Sequence, residues 1–122
     1  MLNIQKKNVE PDITVVEVSG RLSIGRACQE VEWEIESLLK DQKTKVVLDL
    51  KDLQYIDSTG IGIIVMCYGK LKNLGGDLRV ACPQGAVDDT IRLTRVNQMI
   101  HLFPTCAEAT ESFVTSPPAS PA

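Results

Sequence analysis

Residues 45–74 constrain the fold more than any other stretch. "KVVLDL", residues 45–50, is an almost continuous apolar strand, and strands of this kind are central and covered on both faces. A short polar connection comes next, and then a helix from about Ser58 to Leu74. Its Ile61, Ile64, Val65, Tyr68 and Leu71 recur at helical spacing and form one buried stripe. "LGGD" ends that helix, with Gly75 as its C-terminal cap. "DLRVAC", residues 77–82, is the next strand. A buried strand, a helix and a second buried strand make a βαβ unit with a parallel pair at its centre.

The flanking segments extend this unit. "LNIQKKN" alternates weakly, "EPD" breaks it, and "ITVVEVSG", residues 13–20, is a short β-branched strand. The two read as an antiparallel hairpin. "RACQEVEWEIESLLK", residues 26–40, places Ala27, Val31, Ile35, Leu38 and Leu39 on one helical stripe. The glutamates on its other faces read as a solvated surface. Trp33 lies off the stripe and either packs under the hairpin or meets a partner. "AVDDTIRLTRV" reads as a helix and "MIHLF" as a short strand. "TCAEATESFV" is a last helix, with Thr105 and Glu108 spaced as a capping box. The order is β-β-α-β-α-β-α-β-α, which predicts a mixed sheet with parallel central strands. Residues 1–114 form one domain. Residues 115–122 are rich in proline and serine and cannot bury enough to order themselves.

Charge and cysteine usage narrow the function. The formal net charge of -3 argues against nucleic acid, which requires a basic face, and against a polybasic membrane anchor. No run reaches the ~18 apolar residues that span a bilayer, and the N-terminal segment is not a signal peptide. Cys28, Cys67, Cys82 and Cys106 have no CxxC spacing and read as small thiols in a reducing compartment. One histidine and no cysteine pair leave little for a structural metal. Neither metal nor cofactor is expected, and a cytoplasmic location is.

The polar entry to the second helix, "DSTG" at 57–60, carries the functional signal. Asp57 suits the N-cap, accepting from the backbone N–H of Thr59 or Gly60 at the positive end of the helix dipole. Ser58 and Thr59 then fall in the first turn. The turn lies at the carboxyl end of the sheet, where α/β proteins place their sites. Ordinary capping accounts for the aspartate and the hydroxyls. It does not account for Gly60 and Gly62, each of which costs up to about 1 kcal/mol in a helix relative to alanine. Two glycines here point to a surface that another molecule approaches closely.

"VVLDLKDLQYIDSTGIGIIV" closely resembles the signature of STAS domains, specifically the bacterial anti-sigma factor antagonists. "GRL" at 20–22 resembles the loop motif after their second strand, and "AEA" at 107–109 the start of their last helix. The likeness runs from about residue 3 to residue 114. It implies about five strands, with about four helices packed mainly on one face. It implies a binding protein, not an enzyme. By the resemblance, Ser58 is the phosphorylation site, with Thr59 the adjacent alternative. The unphosphorylated form binds an anti-sigma factor that is also a serine kinase, which frees a sigma factor. Phosphorylation breaks the complex and a serine phosphatase restores it. Arg21, Ser23, Asp57, Ser58, Thr59, Gly60 and Gly62 are the partner-binding candidates. The family often has an aspartate after the leucine of the loop motif, and this chain has Ser23 there. The alternative within the family is a STAS subunit of a lipid-transport ABC complex or of a stress-signalling scaffold.

Three other chemistries fit less well. A hydrolase triad of Ser58, His101 and an aspartate lacks the GxSxG elbow. "GIGIIV" lacks the third glycine of a dinucleotide fingerprint. Asp49 could be a phospho-acceptor, but no acidic pair comes after the first strand to hold magnesium. A strand-end aspartate bonded to nearby backbone is the simpler account of Asp49.

Overall fold

In the computed structural model, residues 2–115 are described. The elements are β1 (Leu2–Val9), β2 (Ile13–Leu22), α1 (Arg26–Lys40), β3 (Lys45–Asp49), β4 (Leu53–Ile56), α2 (Ser58–Asn73), β5 (Asp77–Ala81), α3 (Gly85–Leu93), β6 (Leu102–Phe103) and α4 (Cys106–Thr115), with a 3-10 turn at Val96–Gln98 before β6. The expected tail, residues 115–122, lies outside the described residues except for the end of α4.

The sheet is mixed. β1 and β2 form the antiparallel hairpin, and the order continues β1-β2-β3-β5-β6 with every later pair parallel. The period of two in the strands sorts the core into two layers. Val16, Val18, Val46, Leu48, Leu78 and Val80 face α1, α2 and α3. Ile13, Val15, Val47 and Ala81 face only α4, through Ala109 and Phe113. Three of the four helices thus share one face, as expected.

One strand was not expected. Residues 53–56, which read as connection in the sequence, form β4, which continues the line of β3 and pairs with the end of β2 at Leu22↔Ile56. Four residues with Leu53 and Ile56 buried and Gln54 and Tyr55 exposed do not alternate, so the period-two signal is missing. The pairing slips between Gly20 and Arg21, where Gly20 has φ +95. A bulge of this kind bends the strand and re-aims the residues after it. Here the extra residue is Gln54 of β4, which leads into α2 beside Leu22.

The buried stripe of α1 holds Cys28, Val31, Ile35 and Leu38, and that of α2 holds Gly60, Ile61, Ile64, Cys67 and Leu71. The two cysteines belong to the core, and Ala27, Leu39, Val65 and Tyr68 lie at its margin. Burial pushes the Cys67 thiol up to about 12, so it stays protonated and packs as a small apolar group. The last turn of α2 closes with Gly76 N–H on the Leu71 carbonyl and Gly75 N–H on the Lys72 carbonyl, with Gly75 at φ +82. The helix expected through Val96 ends at Leu93, where Arg95 turns into the left-handed region, φ 63. The strand expected from Met99 shrinks to two residues.

The glutamates of α1 are less idle than a solvated face. Lys70 of α2 pairs with Glu36 and Glu32, and Lys6 of β1 pairs with Glu34 at 2.8 Å. Trp33 is 60% exposed and lines a groove between α1 and Leu2, Asn3 and Ile4 of the hairpin, so it lies beside the hairpin without being buried under it.

Candidate functional site

The "DSTG" turn sits where three segments meet. Asp57 is the N-cap of α2, with extended backbone, and its Oδ1 accepts from Gly60 N–H at 2.8 Å. The other oxygen, Oδ2, accepts from Ile24 N–H at 2.9 Å, 33 residues away in the loop between β2 and α1. The Asp57 backbone N–H donates to the Leu22 carbonyl at 3.3 Å. One residue therefore ties the end of β2, the loop after it and the start of α2 together. The N–H groups of Gly60 and then Ile24 hold its carboxyl below the usual 3.8. It is a carboxylate at neutral pH.

Ser58 comes directly after, in the first turn of α2, and is exposed. Its hydroxyl makes no hydrogen bond among the described residues. Thr59 is half-buried. Of the two hydroxyl residues at this helix start, Ser58 is the freer.

The two glycines differ. A Cβ at Gly60 would lie 2.6 Å from the Leu22 carbonyl oxygen and 2.8 Å from Ile56 Cγ1. The space at Gly60 is already filled from inside, so this glycine lets α2 seat against β2 and β4. It does not open a surface, as the sequence alone suggested. At Gly62 nothing lies within 4 Å and the residue faces out. Gly62 alone leaves room for another molecule.

Around the turn, Arg21 and Tyr55 are cross-strand neighbours, with the guanidinium 4.1 Å from the ring centroid. Ser23 is half-buried, and its carbonyl accepts from the Cys28 thiol at 3.2 Å. Ile24 is 74% exposed and Tyr55 38%. Neither Ile24 nor Tyr55 was singled out from the sequence. The signal for Ile24 was an apolar residue set beside a glycine in "LSIGR"; Tyr55 lies in a segment that reads as loop. The structure thus places Arg21, Ser23, Asp57, Ser58, Thr59 and Gly62 around one turn, with Gly60 beneath it.

The other chemistries are not assembled. His101 precedes β6 at the edge of the sheet and packs edge-on against Phe103, whereas Ser58 begins α2 beside the end of β2 and β4. Asp49 is 7% exposed and accepts from Lys51 N–H at 3.0 Å, the strand-end bond expected of it. Among the described residues no group of three or more His, Cys, Asp or Glu could hold a metal ion, and no helix is long and apolar enough to cross a membrane.

The STAS domain family model matches residues 5–109. The chain belongs to the STAS family. The anti-sigma-B factor antagonist of Bacillus subtilis is 33% identical over 79 residues, 65% of this chain and 70% of the relative. The structure of an anti-sigma factor antagonist from Mycobacterium paratuberculosis superposes with TM-score 0.79 at 25% identity, covering 92% of this chain and 93% of that one. The unphosphorylated form of the anti-sigma factor antagonist SpoIIAA superposes with TM-score 0.72 at 16% identity, covering 93% of this chain and 99% of that one. Phosphorylated SpoIIAA of Bacillus, 17% identical and covering 91% of this chain and 99% of that one, gives the same score. At these identities the SpoIIAA structures speak for the fold. The Bacillus subtilis relative, the Mycobacterium paratuberculosis structure and SpoIIAA all carry the name of anti-sigma factor antagonist.

Proposed function

We propose that this STAS protein is an anti-sigma factor antagonist whose grip on its partner is switched by phosphate on Ser58. The observation that carries the reading is the exposed Ser58 hydroxyl, unbonded among the described residues, in the first turn of a helix whose start is tied down by Asp57. Relatives of the same family named for that role support it. The partner is an anti-sigma factor that also acts as serine kinase, a serine phosphatase reverses the modification, and the exchange takes place in the cytoplasm. The docking surface is Arg21, Ser23, Asp57, Ser58, Thr59 and Gly62, with Gly60 shaping it from below.

The physical basis is a difference in solvation. A phosphoserine carries about -1.5 to -2 charges at neutral pH. On the free protein that charge faces water at a helix N-terminus, which tolerates an anion. In a close-packed contact the dianion loses its water without gaining a partner. A penalty of ~3 kcal/mol already weakens binding more than ~100-fold. No rearrangement of the fold is needed.

Incubation with the cognate anti-sigma kinase and ATP tests the proposal. One phosphate is expected, and tandem mass spectrometry places it on Ser58. Phosphate on Thr59 or elsewhere, with Ser58 unmodified, contradicts it.

A further inference from the structure

Two half-buried cysteines that the switch does not use converge at the carboxyl end of β5. Cys82 comes directly after β5 and Cys106 is the first residue of α4. Both are free thiols, partly accessible, and both pack against the small core on the α4 face. Their approach is fixed by backbone. Cys82 N–H donates to the Phe103 carbonyl at 2.8 Å, and its thiol donates to the Pro104 carbonyl at 3.2 Å. The chain turns at Cys82 through the left-handed region, φ 58, which few side chains other than glycine adopt. Thr105 then caps α4 through Glu108 N–H, so Cys106 begins the helix two residues after the carbonyl that the Cys82 thiol holds. Parallel pairing at Ala81↔Phe103 and a thiol bonded to the carbonyl two residues before Cys106 bring the two cysteines close, and a disulfide needs Cα atoms within about 7 Å.

We propose that Cys82 and Cys106 form an oxidative modification site, closing to an intramolecular disulfide by exchange with a small-molecule disulfide such as oxidised glutathione. The thiolate of one cysteine attacks a glutathione sulfur and expels one glutathione thiolate. The second cysteine, as thiolate, attacks the sulfur of that mixed disulfide and expels the other. The glutathione thiolates take up the two protons, so two protein thiols are oxidised and one glutathione disulfide is reduced. The bond staples the end of β5 to the start of α4 and encloses α3 and β6. Cys28 and Cys67 are buried on the opposite side of the sheet and take no part.

Burial and the nearby Asp49 push both thiols above their usual range. Exchange is accordingly slow near neutral pH and needs an excess of oxidant.

The test uses the native full-length protein with excess oxidised glutathione, and then alkylation. A loss of about 2 Da with a Cys82–Cys106 peptide pair in a non-reducing digest is expected. The linked form should melt at least ~5 °C higher and return to the original value with dithiothreitol. Cys82→Ser and Cys106→Ser should each stop at a single glutathione adduct. Stable glutathione adducts on the wild type with no cross-link overturn the proposal, as does a link that forms only in denaturant.

Discussion

Two charged side chains each tie together parts of this molecule that are distant in sequence, and they do so in opposite settings. Arg79 of β5 is 2% exposed. It pairs with Asp77 at 3.1 Å, donates to Ser112 Oγ at 2.6 Å and lies 3.9 Å from the Phe113 ring centroid. It seats α4 on the otherwise thinly covered face of the sheet. Asp57 works at the surface, holding Ile24 and Gly60 with one carboxylate, and the Ser58 hydroxyl beside it is unbonded among the described residues. The buried charge directs its bonds inside the chain, so its role is structural. The half-exposed one shapes a surface that remains open to a partner. A charge that anchors the fold and a charge that prepares a site are told apart by what is left unbonded next to them.

Arg79→Ala should show the largest effect. It removes the packing on Phe113 and the bonds to Asp77 and Ser112, a loss of about 3 kcal/mol. Urea denaturation measures this, and partner affinity of the folded fraction should stay at the wild-type value. Gly60→Ala should cost ~1–3 kcal/mol, because the added carbon meets the Leu22 carbonyl and Ile56. Gly62→Ala should cost less than ~1 kcal/mol of stability. Equal losses for the two glycines would mean that the difference between their surroundings has no energetic weight.

Asp57→Ala comes next, at about 1 kcal/mol for a lost cap. Its carboxyl is depressed in the folded chain, so its contribution is complete above 3.8 and is lost as pH falls through the folded value. The gap in melting temperature between wild type and Asp57→Asn should therefore close on acidification within that window. A gap that persists below the folded value would assign the effect to something other than the charge.

The sequence was most legible where periodicity was strong. The hairpin, the α1 and α2 stripes and the strand pair around α2 emerged from apolar spacing alone. β4 escaped because its two buried residues are three apart and it pairs with a single neighbour. The roles of the two glycines were not separable either, since only the packing of Leu22 and Ile56 against Gly60 distinguishes them. The Asp57 cap was readable as local chemistry, but its second bond, to Ile24, joins segments 33 residues apart that the pairing of β2 with β4 brings together. Arg79 left no signal, because a lone arginine within an apolar strand gives no hint of the serine and phenylalanine that receive it from α4.

The affinity of the anti-sigma partner for Ser58→Ala and Ser58→Asp, measured side by side by calorimetry, bears most directly on the switch. Both variants should fold, since the first loses only an exposed hydroxyl and the second adds negative charge at a helix N-terminus. Ser58→Ala should bind as tightly as the unmodified protein. Ser58→Asp should bind at least ~10-fold more weakly, a cost of ~1.4 kcal/mol. Equal affinity of the two, with both folded, would contradict the account.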